Sequence, residues 1–262
     1  MYRGISTLST NANAGGAADS GSAPVEISIV IPAYNEAKRL MGSLDQVVVF
    51  MDAHHPSYEI IVVDDGSTDA TAALVRERAQ RISRLRLESY AVNRGKGFAV
   101  RHGVERARGK VVLFTDADLS TPIADLDKLM HALEAGADVA IGTRAHPESN
   151  VRVRQPFYRD RGGKLFNRMV RLLLLPELHD TQCGFKLFRR ATVAPVFGDL
   201  REERFAFDAE LLYLAARRGL RIMETPVTWA NSPDSRVRFT EGLAAFFDLI
   251  RIRWRHRSTG KE

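Results

Sequence analysis

The stretch "VVLFTDADLSTP", Val111 to Pro122, places two carboxylates one residue apart directly after an apolar run. Taking a carboxylate out of water at the end of a buried strand is costly unless a partner neutralises it. A hard divalent cation is such a partner. Mg²⁺ takes one or two protein carboxylates and fills its other positions with water and substrate phosphates. Asp116 and Asp118 are therefore read as a metal pair, one a direct ligand and the other orienting a water or a ribose hydroxyl. Helix capping by Asp118 ahead of "LSTP" is the structural alternative, and it leaves Asp116 unexplained. "NRGKG", Asn93 to Gly97, sets Lys96 between two glycines just before a helix, where an ammonium and free N–H groups meet a phosphate or a base edge. A loop that needs positive φ would use the same glycines. "VVDDGSTD" by itself is ordinary turn chemistry. "ERFAFDAELLYLAARRG" puts Asp208 and Glu210 at the head of an amphipathic helix, either as a general base or as acids favoured at a helix N-terminus.

The elements that position these groups are legible as a repeat. "EISIVIPAYNE" opens with a β-rich run that breaks at Pro32, and an amphipathic segment follows. "YEIIVVDDGSTDATAALVRERAQ" repeats the pattern, with a strand over Glu59 to Val63 and Ser67 or Thr68 as the helix N-cap. "LRLESYAVNRGKGFAVRHGVERA" and "KVVLFTDADLSTPIADLDKLMHALEAG" give a third and fourth unit, and "ADVAIGTR" a further strand. Such alternation predicts an α/β fold with a mostly parallel sheet and helices on both faces. Ligands bind such sheets beyond the carboxyl ends of the strands. The clusters "PAYNE", "DDGS", "NRGKG", "DAD" and "GTR" all lie at such ends, and their convergence points to one ligand site.

Composition narrows the possibilities. The 262 residues are 45% hydrophobic and 27% charged, which suits one large domain over residues 25–240. The Gly, Ala, Ser and Asn-rich residues 1–24 read as a disordered leader without a signal-peptide pattern. Residues 241–262 read as a basic amphipathic C-terminal helix and tail. No apolar run reaches the roughly 18 residues of a membrane span, so membrane contact is expected to be peripheral. Cys183 is the single cysteine, which excludes a disulfide within the chain and a cysteine-based zinc site and suggests a cytoplasmic setting. The G-x-G-x-x-G and Walker A patterns are missing, which argues against a dehydrogenase or a P-loop NTPase. The net charge of +6 is concentrated: Arg144 to Arg171 holds eight Lys/Arg against two acids, and Arg236 to Glu262 seven against three. Those segments call for an anionic partner: phosphate, an acidic lipid surface or nucleic acid.

Taken in order, "IVIPAYNE", "IIVVDDGSTDAT", "NRGKGFAVRHG", "VVLFTDADLSTP", "GTR", "DTQCGFKLFRR" and "ERFAFDAELLYLA" resemble the family 2 glycosyltransferases. More narrowly they resemble the dolichyl-phosphate β-glucosyltransferases and bacterial polyprenyl-phosphate relatives, over about residues 25–250. The resemblance implies a single-domain GT-A fold, a nucleotide-diphosphate-sugar donor such as UDP-glucose, Mg²⁺ or Mn²⁺, and inversion at the anomeric carbon. It puts Pro32, Tyr34 and Glu36 beside the nucleoside, Asp65 at the base with Asn93 and Lys96 nearby, and Asp116 and Asp118 at the metal, Asp118 as the direct ligand. It makes Arg144 a phosphate-contacting arginine. In those relatives an R-x-x-x-S follows; here the alignment gives Arg159 but Gly163 in place of the serine, with Arg161 or Arg154 as substitutes.

The acceptor decides the remaining chemistry. A hydroxyl nucleophile needs a general base, which the family's layout would take from Asp208 or Glu210. A phosphate monoester is already anionic and needs cations to align it. The expected acceptor is a polyprenyl phosphate, dolichyl or undecaprenyl; a soluble hydroxyl acceptor, or GDP-mannose as donor, is the alternative. Asp180 would position the arginines or face the sugar. A nucleic-acid partner is not expected, because it leaves the paired aspartates and the five strand-end clusters unexplained. In "EGLAAFFDLIRIRWRHR" Leu243, Phe246, Phe247, Ile250 and Trp254 share one helical face. That face either lies in a membrane interface, placing the protein at the cytoplasmic side of a membrane, or packs on the domain.

Overall fold

Strands β1 (Ile27–Ala33) and β2 (Tyr58–Asp65) are buried almost throughout, as parallel strands covered on both faces must be. The computed structural model describes residues 24–153, 157–231 and 239–257, with side chains in the last two segments described from 161 and from 246. After β1 comes α1 (Leu40–His54), and after β2 come α2 (Thr71–Arg81), β3 (Leu85–Tyr90), α3 (Lys96–Arg106), β4 (Val111–Thr115), α4 (Leu126–Glu134) and β5 (Val139–Thr143). Beyond these lie β6 (Asn150–Val153), α5 (Phe157–Leu173), β7 (Phe185–Arg189), α6 (Arg190–Asp199), α7 (Phe207–Arg217), β8 (Ile222–Pro226), β9 (Thr228–Ala230) and α8 (Phe239–Arg255).

Seven strands form one sheet in the order β3-β2-β1-β4-β7-β5-β8, and β6 pairs with β9 apart from it. All neighbours in the large sheet are parallel except β7, which runs antiparallel between β4 and β5. The chain order reverses direction between β1 and β4, which opens the crevice where an α/β sheet binds its ligand. Alternate residues of β1 and β2 point to opposite faces. Val30, Ile61 and Val63 join the core under α3, α7 and α8, while Ile29, Ile31 and Val62 join the core under α1 and α4.

Two local expectations change. β1 does not break at Pro32 but runs to Ala33, because its ladder with β4 ends at Val30 and a residue without an N–H is tolerated beyond that point. α2 starts at Thr71, not beside Ser67 or Thr68; Asp69 Oδ1 accepts the Thr71 N–H at 2.9 Å, and Ser67 Oγ instead accepts the Asn35 N–H at 2.8 Å. β7 is the largest departure from the predicted parallel repeat. Its antiparallel register sets Phe185 opposite Thr115 and so brings Cys183 and Gly184 beside the two aspartates that follow β4. Among the described residues no helix is long and apolar enough to cross a membrane.

α3 lies close on β1 because Gly103 has no side chain. A Cβ there would stand 2.4 Å from Val30 Cγ1 and 3.0 Å from Val63 Cγ2. Gly103→Ala is expected to lower stability by about 1–3 kcal/mol through overpacking, read as a lower urea midpoint at unchanged slope.

Candidate active site

The crevice between β1 and β4 is framed by the only two described non-glycine residues with positive φ, Asn35 (55°) after β1 and Leu119 (45°) after β4. Backbone strain of this kind persists where surrounding bonds over-determine it, and it clusters at functional sites. Asn35 Oδ1 accepts the N–H groups of Thr68 (2.8 Å) and Asp69 (3.2 Å), which ties the loop after β1 to the loop after β2. Leu119 sits inside a tight turn in which Asp118 Oδ1 accepts the Ser120 N–H at 3.0 Å.

Asp116 enters the site through an alternating row of charge. Lys96 Nζ lies 2.6 Å from Asp116 Oδ1, and Lys186 Nζ lies 2.5 Å from Asp208 Oδ1 and 2.5 Å from the Cys183 carbonyl oxygen. Lys186 is wholly buried and Asp208 nearly so. Burial works against the Lys96 ammonium, but Asp116 and Asp208 outweigh it and raise its pKa. Burial raises the Asp208 carboxyl, with Lys186 and Lys96 opposing. On its other side the Asp116 carboxylate fills space left by Gly184, where a Cβ would fall 2.0 Å from Asp116 Oδ2.

Asp118 is raised above the usual carboxylate range, first by burial and then by the neighbouring Asp116. Arg39 answers part of this, with Nη1 at 3.8 Å from Asp118 Oδ2, while it also pairs with Glu36. Two carboxylates that repel each other, at a strand end and open on one side, fit a divalent cation that also takes oxygens from a phosphate. Among the described residues no group of three His, Cys, Asp or Glu is placed to hold a metal ion.

Asp65, Asn93 and Lys96 are brought to one corner, in a different arrangement from independent contacts. The buried Asp65 carboxylate accepts the Arg94 N–H, the Gly95 N–H and Asn93 Nδ2, each at 2.8 Å, so it shapes the turn that presents Lys96. Gly95, at φ 106°, seats that turn against the loop before α7: a Cβ would stand 2.6 Å from the Glu203 carbonyl oxygen. Tyr34 stands exposed after β1.

Arg144, at the end of β5, is gripped by Asp180. Its backbone N–H and Nε donate to Asp180 Oδ2 at 2.9 and 2.7 Å, and Nη2 donates to Oδ1 at 2.8 Å. Burial pushes the Asp180 carboxyl up, but Arg144 more than offsets this and holds it below its usual value. The guanidinium also lies 5.3 Å from the centre of the Trp229 ring.

Glu210 requires correction as a catalytic candidate. It is fully buried; Oε2 accepts the N–H groups of Arg201 (2.9 Å) and Glu202 (2.7 Å), and Oε1 lies 2.6 Å from His256 Nε2. The carboxylate therefore links α7 to the 201–203 segment and to the end of α8. Asp208 is likewise closed off by Lys186, within the charge row. Arg161 is exposed on α5; the side chain of Arg159 and all of Arg154 lie outside the described residues. Sequence reasoning passed over Arg39 and Lys186. Arg39 carried a signal, since it is an opposite charge three residues after Glu36 in the turn that leads into α1. Lys186 carried none, being one lysine in an apolar strand.

The sequence model described as "Glycosyl transferase family 2" matches residues 28–197. A dolichyl-phosphate beta-glucosyltransferase of Drosophila melanogaster is 42% identical over 226 residues, 81% of this chain and 69% of that protein. One from Dictyostelium discoideum is 38% identical over 245 residues, 88% of this chain and 75% of that protein. Among solved structures, glucosyl-3-phosphoglycerate synthase from Mycobacterium tuberculosis, in complex with Mn²⁺, UDP and phosphoglyceric acid, superposes with a TM-score of 0.67 at 22% identity. It covers 89% of this chain and 79% of its own, and shares the fold.

Two outcomes follow from this geometry. Gly184→Ala should leave a folded protein whose Asp116 carboxylate is displaced, with Mn²⁺ affinity in the presence of UDP reduced about tenfold or more by calorimetry. Asp180→Asn should cost about 3 kcal/mol at pH 7, the low end for a broken buried pair because Arg144 is partly exposed. The Asp180 pKa is depressed on folding, so its contribution is full above the unfolded value of about 4 and fades as pH falls through the folded value. Urea titrations of the two proteins should therefore converge as the pH is taken from about 5 towards 2.

Proposed function

The chain belongs to glycosyl transferase family 2, and on that premise we propose that it moves glucose from UDP-glucose to the phosphate of a polyprenyl lipid, with inversion at the anomeric carbon. Its fold is that of the GT-A glycosyltransferases, a mostly parallel sheet flanked by helices. The named relatives support dolichyl phosphate or an equivalent polyprenyl phosphate as acceptor. A lipid acceptor places the work at a membrane surface, on the cytoplasmic side where nucleotide sugars are at hand.

One observation carries the acceptor reading. The acids that could serve as a general base, Asp208 and Glu210, are buried and engaged, and Asp180 is bound to Arg144. With these three acids engaged, the described part of the site suits a nucleophile that arrives already anionic, as a phosphate monoester does. In this reading Arg144, fixed by Asp180, meets that phosphate at the β5 strand end and aligns one oxygen with the sugar C1. The new C1–O bond forms as the bond from C1 to the β-phosphate breaks on the opposite face, so configuration inverts and UDP departs. Lys96, at the edge of the Asp116 cluster, shares the charge that develops on the leaving diphosphate. Asp116 and Asp118 would hold Mg²⁺ or Mn²⁺, which supplies Lewis-acid stabilisation of that diphosphate. The turn shaped by Asp65 and Asn93 receives the base, with Pro32, Tyr34 and Glu36 across the crevice.

The test is release of UDP from UDP-glucose with Mg²⁺ or Mn²⁺, with and without a short-chain polyprenyl phosphate, while glucosylated lipid is followed. Lipid-dependent release with product is expected; release with no lipid product would overturn the acceptor, and preference for GDP-mannose the donor. Asp118→Ala should lower turnover by on the order of 10²–10³-fold in a folded protein. Arg144→Ala should impair transfer far more than donor hydrolysis.

A further inference from the structure

Nine large apolar side chains stand exposed among the described residues, and five of them lie on two neighbouring helices. On α8 they are Phe247, Ile250 and Trp254, spaced as one helical stripe and exposed by 61, 47 and 77%. On α5 they are Leu165 and Leu172, two turns apart and 64 and 75% exposed. The opposite stripes, Val170 on α5 with Leu174 just after it, and Leu249 and Ile252 on α8, are buried in the shared core. The outward stripes therefore cannot also pack on the domain. Of the two fates open to the C-terminal helix, the structure takes the one that leaves the aromatic face outside.

We propose that the outward face of α5 and α8 docks on the surface of an anionic lipid bilayer. The charge on the pair selects this occupant. From residue 161 to 173 there are four Lys/Arg and no acid; from 246 to 257 there are four arginines and one acid, Asp248, with Arg251 paired to Asp248 and Arg253 and Arg255 reaching back to the Leu173 carbonyl and Glu202, so the pair of helices is cationic in balance. Apolar and aromatic side chains interleaved with arginines suit the headgroup boundary, where the rings enter the interface and the guanidinium groups meet lipid phosphates. A second copy of the chain fits less well, because a two-fold contact would bring two cationic stripes together.

The inner sides of both helices tie this face to the site. Asn167 on α5 contacts Thr181, its Oδ1 accepting from Thr181 Oγ1 at 3.3 Å, next to the Asp180 that holds Arg144. At the end of α8, His256 meets Glu210, and Arg255 pairs with Glu202 at 3.0 Å. The adjoining Glu203 carbonyl accepts the Phe98 N–H at 3.1 Å beside the turn that carries Lys96. Docking would thus set the acceptor arginine and the donor turn in a fixed attitude to the membrane. The inference deepens the lipid-acceptor reading and takes its purpose from it, but binding itself can be measured separately.

The full chain would be sedimented with phosphatidylcholine vesicles with and without phosphatidylglycerol. Binding to the anionic vesicles that weakens with salt is expected. The double variants Phe247→Ser with Trp254→Ser, and Arg168→Glu with Arg251→Glu, should each reduce partitioning about tenfold or more. Circular dichroism and turnover of a water-soluble short-chain prenyl phosphate should be unchanged, since all four side chains point away from the site. A wild-type chain that stays in the supernatant, variants that bind equally well, or a face-dependent dimer in sedimentation velocity would overturn the proposal. Vesicle binding by a protein that glucosylates no prenyl phosphate would refute the acceptor reading and leave the docking face standing.

Discussion

Charge that has left water must find charge of the opposite sign, and the row Asp116, Lys96, Asp208, Lys186 is where that constraint organises this protein. Lys186 sits inside the sheet on β7 with no exposed surface, and Asp208 and the Cys183 carbonyl answer it directly. Lys96, between Asp208 and Asp116, carries the neutralisation out to the crevice. Removing Asp208 would leave Lys186 buried without its carboxylate, which costs more than the pair itself contributes. The strand that delivers Lys186, the turn that delivers Lys96 and the helix that delivers Asp208 are therefore held in register by the same interaction that aims Asp116.

The remaining parts of the site attach to this row through backbone geometry. Gly184 admits the Asp116 carboxylate, and Gly95 admits the Glu203 carbonyl beside the turn that carries Lys96. Asp65 satisfies the N–H groups of that turn from below. Arg144 is prepared differently: three bonds from Asp180 fix its orientation, and a guanidinium held in advance loses little freedom when a phosphate arrives.

Glu210 shows how the same residue type serves a different end. Its carboxylate lies two residues from Asp208 on α7, yet faces away from the crevice and gathers two backbone N–H groups and His256. Through it the C-terminal helix joins the domain, so a surface outside the crevice and the loop inside it share one anchor. The outward face of that helix is free to be apolar because its inner face already completes the core.

Much of this could be read from the residues alone. The β/α repeat, the five polar clusters at strand ends, the aspartate pair after β4 and the family resemblance all arise from local pattern, since strand and helix periodicity and turn chemistry act over a few residues. The antiparallel β7, the burial of Asp208 and Glu210, and the outward turn of Phe247, Ile250 and Trp254 arise only when distant segments meet. Lys186 and Asp208 are 22 residues apart, Arg144 and Asp180 36, Glu210 and His256 46. No local pattern states which of two carboxylates on one helix will be desolvated against which cation, because that choice is made by the partner each finds across the fold.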